Sequence, residues 1–176
     1  MTRTRPPARL TRRHATLALL GAAAGCGVQT KDKAMAKDDA DPATIPDYDK
    51  WQLPNEEWKK RLSPEAYAVL RKEATERPGT SALNNEKRGG VFSCAGCGFD
   101  LFKSDHKFES GTGWPSFWDF IPGAIGTKTD FKLIVPRTEY HCARCGGHQG
   151  HVFKDGPAPT GLRYCNNGVA LTFKPA

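Results

Sequence analysis

Cysteine and histidine carry most of the chemistry this sequence can offer. Cys94-Ala95-Gly96-Cys97 and Cys142-Ala143-Arg144-Cys145 are both Cys-x-x-Cys units, with 44 residues between them. A two-residue gap lets one tight turn aim both sulfurs at a single metal ion, and structural zinc takes four such ligands in a tetrahedron. The pair therefore predicts one structural zinc per chain, with glycines 96, 98, 146 and 147 easing the turns. Disulfides within each motif, or a dithiol exchange site, are the competing readings. The exchange site lacks the βαβ setting it expects. With Cys26 set aside in the N-terminal leader, Cys165 remains after these four. Arg163 lies two residues before it, on the same face if the segment is a strand, and a nearby cation favours thiolate over thiol. Asn166, Asn167 and Gly168 follow. Upstream, His148, His151 and Asp155 place two imidazoles and a carboxylate where protons can be exchanged near neutral pH. A second metal site at the two histidines is the alternative.

The segments GHQGHVFKDGPAPTGLRYCNN (147–167), ESGTGWPSF (109–117) and LSPEAYAVLRKEATERP (62–78), with the two Cys-x-x-Cys units, resemble the B-type methionine sulfoxide reductases. The resemblance spans about residues 47–174. It implies that Cys165 attacks a sulfoxide sulfur while His148 and His151 bind and polarise the oxygen, with protons arriving as it leaves. It implies that Asp155 and Arg163 shape the electrostatics around the histidines and thiolate, that Asn167 positions the oxygen, and that Trp114 receives the substrate methyl group. The substrate would be oxidised methionine in proteins or peptides, of the R epimer. A thioredoxin-like or other thiol would restore the enzyme, serving protein repair under oxidative stress. Two departures stand out. Gly168 replaces a frequent serine, and Thr112 stands where many relatives carry the cysteine that resolves the sulfenic acid. A zinc-ribbon binding module is the rival reading. It accounts for the Cys-x-x-Cys pairs but not for Trp114, the histidines and Cys165.

The elements that must position these groups are short. Ser63-Pro64-Glu65 is a helix start, with Ser63 as N-cap and Pro64 at the first helical position. Ala66, Val69 and Leu70 share one side of that helix, and Arg77-Pro78-Gly79 is its expected stop. Beyond Arg88, strand candidates are Gly90 to Ser93, Phe99 to Phe102, Thr127 to Val135, Glu139 to His141 and Val169 to Phe173. The expected fold is mainly β: a small antiparallel domain of two packed sheets over residues 48–176, preceded by short helices and stapled by zinc.

Residues 1–26 read as an export signal. Five arginines precede an apolar run from Ala15 to Ala24 that is too short to span a bilayer. Leu10-Thr11-Arg12-Arg13-His14-Ala15-Thr16-Leu17 resembles a twin-arginine signal. Ala22-Ala23-Ala24-Gly25-Cys26 leaves two outcomes open: lipidation at Cys26, or cleavage after the alanines with release into the periplasm. Contact with a membrane is expected only through that anchor. Residues 27–47 read as a flexible spacer. Without residues 1–26 the net charge falls from +7 to +2 over the remaining 150 residues. No basic stripe is left to follow a nucleic-acid backbone.

Overall fold

The computed structural model describes residues 1–2 and 40–176. The expected export signal, with Cys26, and residues 27–39 of the expected spacer lie outside the described residues. Residues 40–47 carry a 3-10 turn at Pro42–Thr44, capped by Asp41, and a buried Ile45.

Two short helices, α1 (Asn55–Arg61) and α2 (Pro64–Lys72), precede nine strands. Helix α2 begins as the sequence predicts: Ser63 Oγ accepts the Ala66 N–H at 3.1 Å, and Ala66, Val69 and Leu70 are its buried side. It stops at Lys72, before the expected Arg77-Pro78-Gly79. Glu73 takes a left-handed φ of 54°, and the N–H groups of Glu73 and Ala74 close back onto Val69 and Ala68.

Strands β1 (Gly90–Cys94), β2 (Asp100–Lys103) and β9 (Leu171–Pro175) form one sheet in the order β2-β1-β9. Strands β3 (Lys107–Phe108), β4 (Ser116–Phe117), β5 (Ile125–Asp130), β6 (Arg137–Cys142), β7 (His148–Phe153) and β8 (Arg163–Asn166) form the other. Its order is β3-β4-β8-β7-β6-β5, antiparallel throughout. The two sheets pack through aromatic rings. Phe102 stacks on Phe117 with centroids 4.1 Å apart, and Phe102 meets Tyr140 edge to face at 6.1 Å. Such pairs hold the sheets at a fixed spacing beyond simple area burial.

Two expected strands differ in extent. The Thr127 to Val135 candidate ends at Asp130, and 131–136 turn out as an exposed loop. The Val169 to Phe173 candidate begins at Leu171, because Gly168–Ala170 form a 3-10 turn. A strand at 148–153, absent from the expected set, proves central.

Candidate functional site

The two Cys-x-x-Cys turns join β1 to β2 in one sheet and β6 to β7 in the other. Gly98 and Gly146, each directly after a motif, take φ of 73° and 66°; glycines 96 and 147 do not need that freedom. Gly147 is instead closely packed, since a Cβ there would sit 3.0 Å from the Leu70 side chain of α2. All four sulfurs are buried and lie within 4.8 Å of one another. Cys94 Sγ is 3.7 Å from Cys145 Sγ, and Cys97 Sγ is 3.6 Å from Cys142 Sγ. A tetrahedron with Zn–S of 2.3 Å has edges of about 3.8 Å, whereas a disulfide needs about 2.05 Å. The cysteines are thus spaced as metal ligands, not as bonded pairs. Their surroundings suit a thiolate cluster. Gln149 Nε2 donates to Cys94 Sγ at 3.4 Å, and the Arg71 guanidinium donates to the Cys145 carbonyl at 2.8 Å. Arg144 donates to the Cys97 carbonyl while lying over Trp51 and Phe99. The zinc staples one sheet to the other.

The second sheet carries the remaining chemistry on the side away from its aromatic packing. Cross-strand register runs Lys128–Glu139–His151–Cys165–Ser116 through five strands. Opposed residues point to the same face of a sheet. Beside that row, Asp130 pairs with Arg137, and Phe153 with Arg163. Period-two alternation puts Arg163 and Cys165 together, as the sequence predicts. His148 reaches the same face by a bulge: Tyr140 opposes Gly150, yet His141 opposes His148, so Gln149 is an extra residue. Without it, positions 148 and 151 would point to opposite faces. With it, their rings meet edge to face at 5.5 Å and Gln149 turns to the zinc cysteine. Gly150 is obligatory here, because any Cβ would strike the Cys165 carbonyl.

A cavity of about 130 Å³ opens over this face. Trp114, His151, Cys165 and Asn167 line it, along with Arg137 and Phe153. His148 does not line it: the ring is buried behind His151, with Nδ1 donating to Glu139 at 2.7 Å. Nor does Asp155 serve the histidines. It holds Arg163 by two bonds of 2.8 Å, and through Arg163 it acts on the thiol side. The carboxylates that hold the histidines are Glu139 and Asp130, the latter 2.8 Å from His151 Nε2. Nothing in their spacing along the chain marks them; only the β5–β6–β7 register does. Asp130, bonded to the Lys132 N–H, His151 and Arg137, is held well below the usual carboxylate range. Burial lowers the His151 pKa although Asp130 opposes the shift, so the ring rests neutral near pH 7.

Glu76, which the sequence reading did not single out, braces two residues of the cavity lining, Trp114 and Asn167. Glu76 accepts the Gly168 and Val169 N–H groups at 2.6 and 3.0 Å, and its own carbonyl accepts Trp114 Nε1 at 3.1 Å. Asn167, expected to position an oxygen, is tied into the same brace. Its Nδ2 donates to the Gln149 carbonyl at 2.9 Å and its Oδ1 accepts the Glu76 N–H at 3.0 Å. Ser81 occupies the space a side chain at Gly168 would need, which accounts for the missing serine.

Arg163 favours the Cys165 thiolate, as expected, but it does not win. Burial raises the thiol above its ordinary value, and Arg163 and Thr112 only partly offset that. Cys165 therefore rests as a thiol at neutral pH. Its alkylation by iodoacetamide in the zinc-loaded protein is expected to rise about tenfold per pH unit, with no plateau below about pH 9. A rate already level near pH 7, followed by peptide mapping at Cys165, would contradict this.

A SelR domain model matches residues 62–175. The peptide methionine sulfoxide reductase MsrB of Methanosarcina barkeri is 58% identical over 120 residues, covering 68% of this chain and 84% of that protein. The MsrB of Leifsonia xyli subsp. xyli is 51% identical over 123 residues, covering 69% of this chain and 88% of that protein. The MsrB of Leptospira interrogans is 50% identical over 121 residues, 68% of this chain and 92% of that protein. With its zinc-type cysteine cluster, its bulged histidine strand and its cavity over Cys165, the chain belongs to the SelR-domain family of MsrB-type peptide methionine sulfoxide reductases.

Proposed function

We propose that this protein reduces methionine-R-sulfoxide in proteins and peptides, with Cys165 as nucleophile. The observation that carries the reading is the convergence of Cys165, His151 and Trp114 on one small cavity. Resting Cys165 is a thiol and His151 a neutral base facing it across the β7–β8 pair. His151 takes the thiol proton, and Asp130 stabilises the imidazolium. The thiolate attacks the sulfoxide sulfur. The imidazolium returns its proton to the oxygen, a strong acceptor that needs an acid to leave. The resulting hydroxyl passes from the methionine sulfur to the Cys165 sulfur as the S–O bond to methionine and the transient S–S bond both break, leaving Cys165 as a sulfenic acid beside a reduced thioether. Two electrons have moved from the cysteine to the methionine sulfur. Two external thiols then return them, giving water, a disulfide and free Cys165.

Trp114 offers an apolar, polarizable wall to the S-methyl group. Arg137 and His151 provide the polar side for the oxygen, and the substrate chain leaves through the mouth. Fixing three substituents of a chiral sulfur selects one epimer. His148, Glu139, Asp155, Arg163 and Asn167 act by holding these groups. Zinc supplies stability, not turnover. The basic-then-apolar layout of residues 1–26 supports export, and with it repair outside the cytoplasm, in the periplasm or on a lipid anchor at Cys26. Twin-arginine export of a folded, zinc-loaded domain suits a tetrathiolate that must form before oxidation.

The zinc-ribbon alternative explains none of the cavity residues and carries no chemistry at Cys165. The deciding assay is thiol-dependent consumption of N-acetyl-methionine-R-sulfoxide by wild type and by Cys165→Ser, with zinc measured on both. Wild type should turn over, and the variant should show none while keeping its zinc. Equal rates in both proteins would remove Cys165 from the reaction.

A further inference from the structure

The β5–β6 loop is the least protein-like surface of the domain. Phe131, Leu133, Ile134 and Val135 are 74%, 57%, 103% and 72% exposed. Together they account for every strongly exposed large apolar side chain among the described residues apart from Met1. Isolated surface apolar residues need no explanation, but four in one five-residue stretch mark an interaction site.

The loop is continuous with the cavity. Its stem residues are Asp130, which holds His151, and Arg137, which lines the cavity wall. The base is fixed by charge. Lys128 and Lys132 converge on Glu73 at the end of α2, at 2.6 and 2.5 Å, and Arg137 is 2.7 Å from Asp130. Among the described residues only the apolar tip is left without partners, beside the place where the substrate methionine must enter.

We infer that this loop docks the apolar residues flanking the oxidised methionine of a polypeptide substrate, an inference that rests on the reductase reading above. Methionine sits mainly in apolar surroundings. Oxidation makes it polar and disrupts the core it occupied, so its neighbours in the chain are released apolar. A rim of Phe, Leu, Ile and Val covers such neighbours while Cys165 works on the sulfoxide. An anionic lipid surface is the poorer match, because Lys128, Lys132 and Arg137 are already neutralised by Glu73, Glu139 and Asp130. Lipid headgroups would find few free cations there.

The test compares wild type with the triple variant Leu133→Ser, Ile134→Ser, Val135→Ser. Substrates are N-acetyl-methionine-R-sulfoxide and two short peptides carrying one methionine-R-sulfoxide, flanked by Leu and Phe in one and by Gly and Ser in the other. Wild type should favour the apolar peptide by about tenfold in kcat/KM, the effect of burying roughly one apolar side chain. The triple variant should lose that preference, keep its melting temperature, and reduce the N-acetyl compound at an unchanged rate. A wild type without preference, or a preference that survives in the variant, overturns the inference. So does a variant that loses only phosphatidylglycerol-vesicle binding, or only self-association, with peptide kinetics intact. Failure of wild type on all three substrates overturns the reductase reading and this inference with it.

Discussion

Serine in place of any one of Cys94, Cys97, Cys142 or Cys145 is expected to cost the protein its zinc and most of its thermal stability. The four sulfurs sit at tetrahedral spacing, fully inside the protein. Removing one leaves three buried thiols with no cation, and burial, reinforced by the neighbouring thiols, pushes Cys142 well above the ordinary thiol value. Structural zinc sites contribute on the order of 10–16 kcal/mol in small peptides. A domain's whole stability is about 5–15 kcal/mol. Even a partial loss is therefore comparable with everything that holds the fold. The melting temperature should fall by more than about 15 °C, or the transition should lose cooperativity. Activity should fail with it, because the β6–β7 turn that holds two zinc ligands leads directly into His148 and His151. Metal analysis and calorimetry of each variant check this. A variant that binds no zinc yet melts with wild type would show that aromatic packing alone holds the sheets together.

How much of this was legible in the sequence depends on the distance over which each feature is written. The zinc ligands are local pairs, so spacing along the chain was enough. The start of α2 is a local cap, and it too was readable. Arg163 and Cys165 share a face by period-two alternation within one strand. Asp130 and Glu139 were not readable, because their partners are set by register between strands and by a bulge at Gln149 that no composition marks. The same bulge makes a His-x-x-His spacing productive on a strand, where unbroken alternation would split the pair. His148 was expected in direct contact with substrate because the family resemblance implied it. Its burial against Glu139 depends on packing from β6. The end of β5 was misjudged because Phe131 to Val135 have every mark of a strand, yet their side chains are left in solvent.

Without reductant, the wild-type protein is expected to convert one equivalent of methionine-R-sulfoxide and stop, with Cys165 held as a sulfenic acid. Of the six cysteines, four are committed to zinc and Cys26 belongs to the expected export signal. Gln149 marks the separation of the two sets, since it turns towards Cys94 while His151, two residues on, lies opposite Cys165. The position of a resolving thiol is taken by Thr112. Its hydroxyl bonds Ser110 at 2.8 Å, Ser110 bonds Ser116 at 2.8 Å, and Ser116 is the cross-strand partner of Cys165. Thr112 also favours the Cys165 thiolate, so the two side chains are neighbours. Threonine offers a hydrogen bond and no sulfur. The sulfenic acid must wait for an outside thiol, and a sulfenic-acid probe should label Cys165 with one adduct per chain. Thr112→Cys should convert that state to an internal disulfide with loss of water. Labelling should then disappear, and the mass should settle two hydrogens below the reduced chain. Zinc should stay bound through both reactions. An internal disulfide to Cys165 in the wild-type protein, with zinc released in proportion, would mean that a zinc ligand doubles as resolver. The partition of cysteines between structure and chemistry would then have to be redrawn.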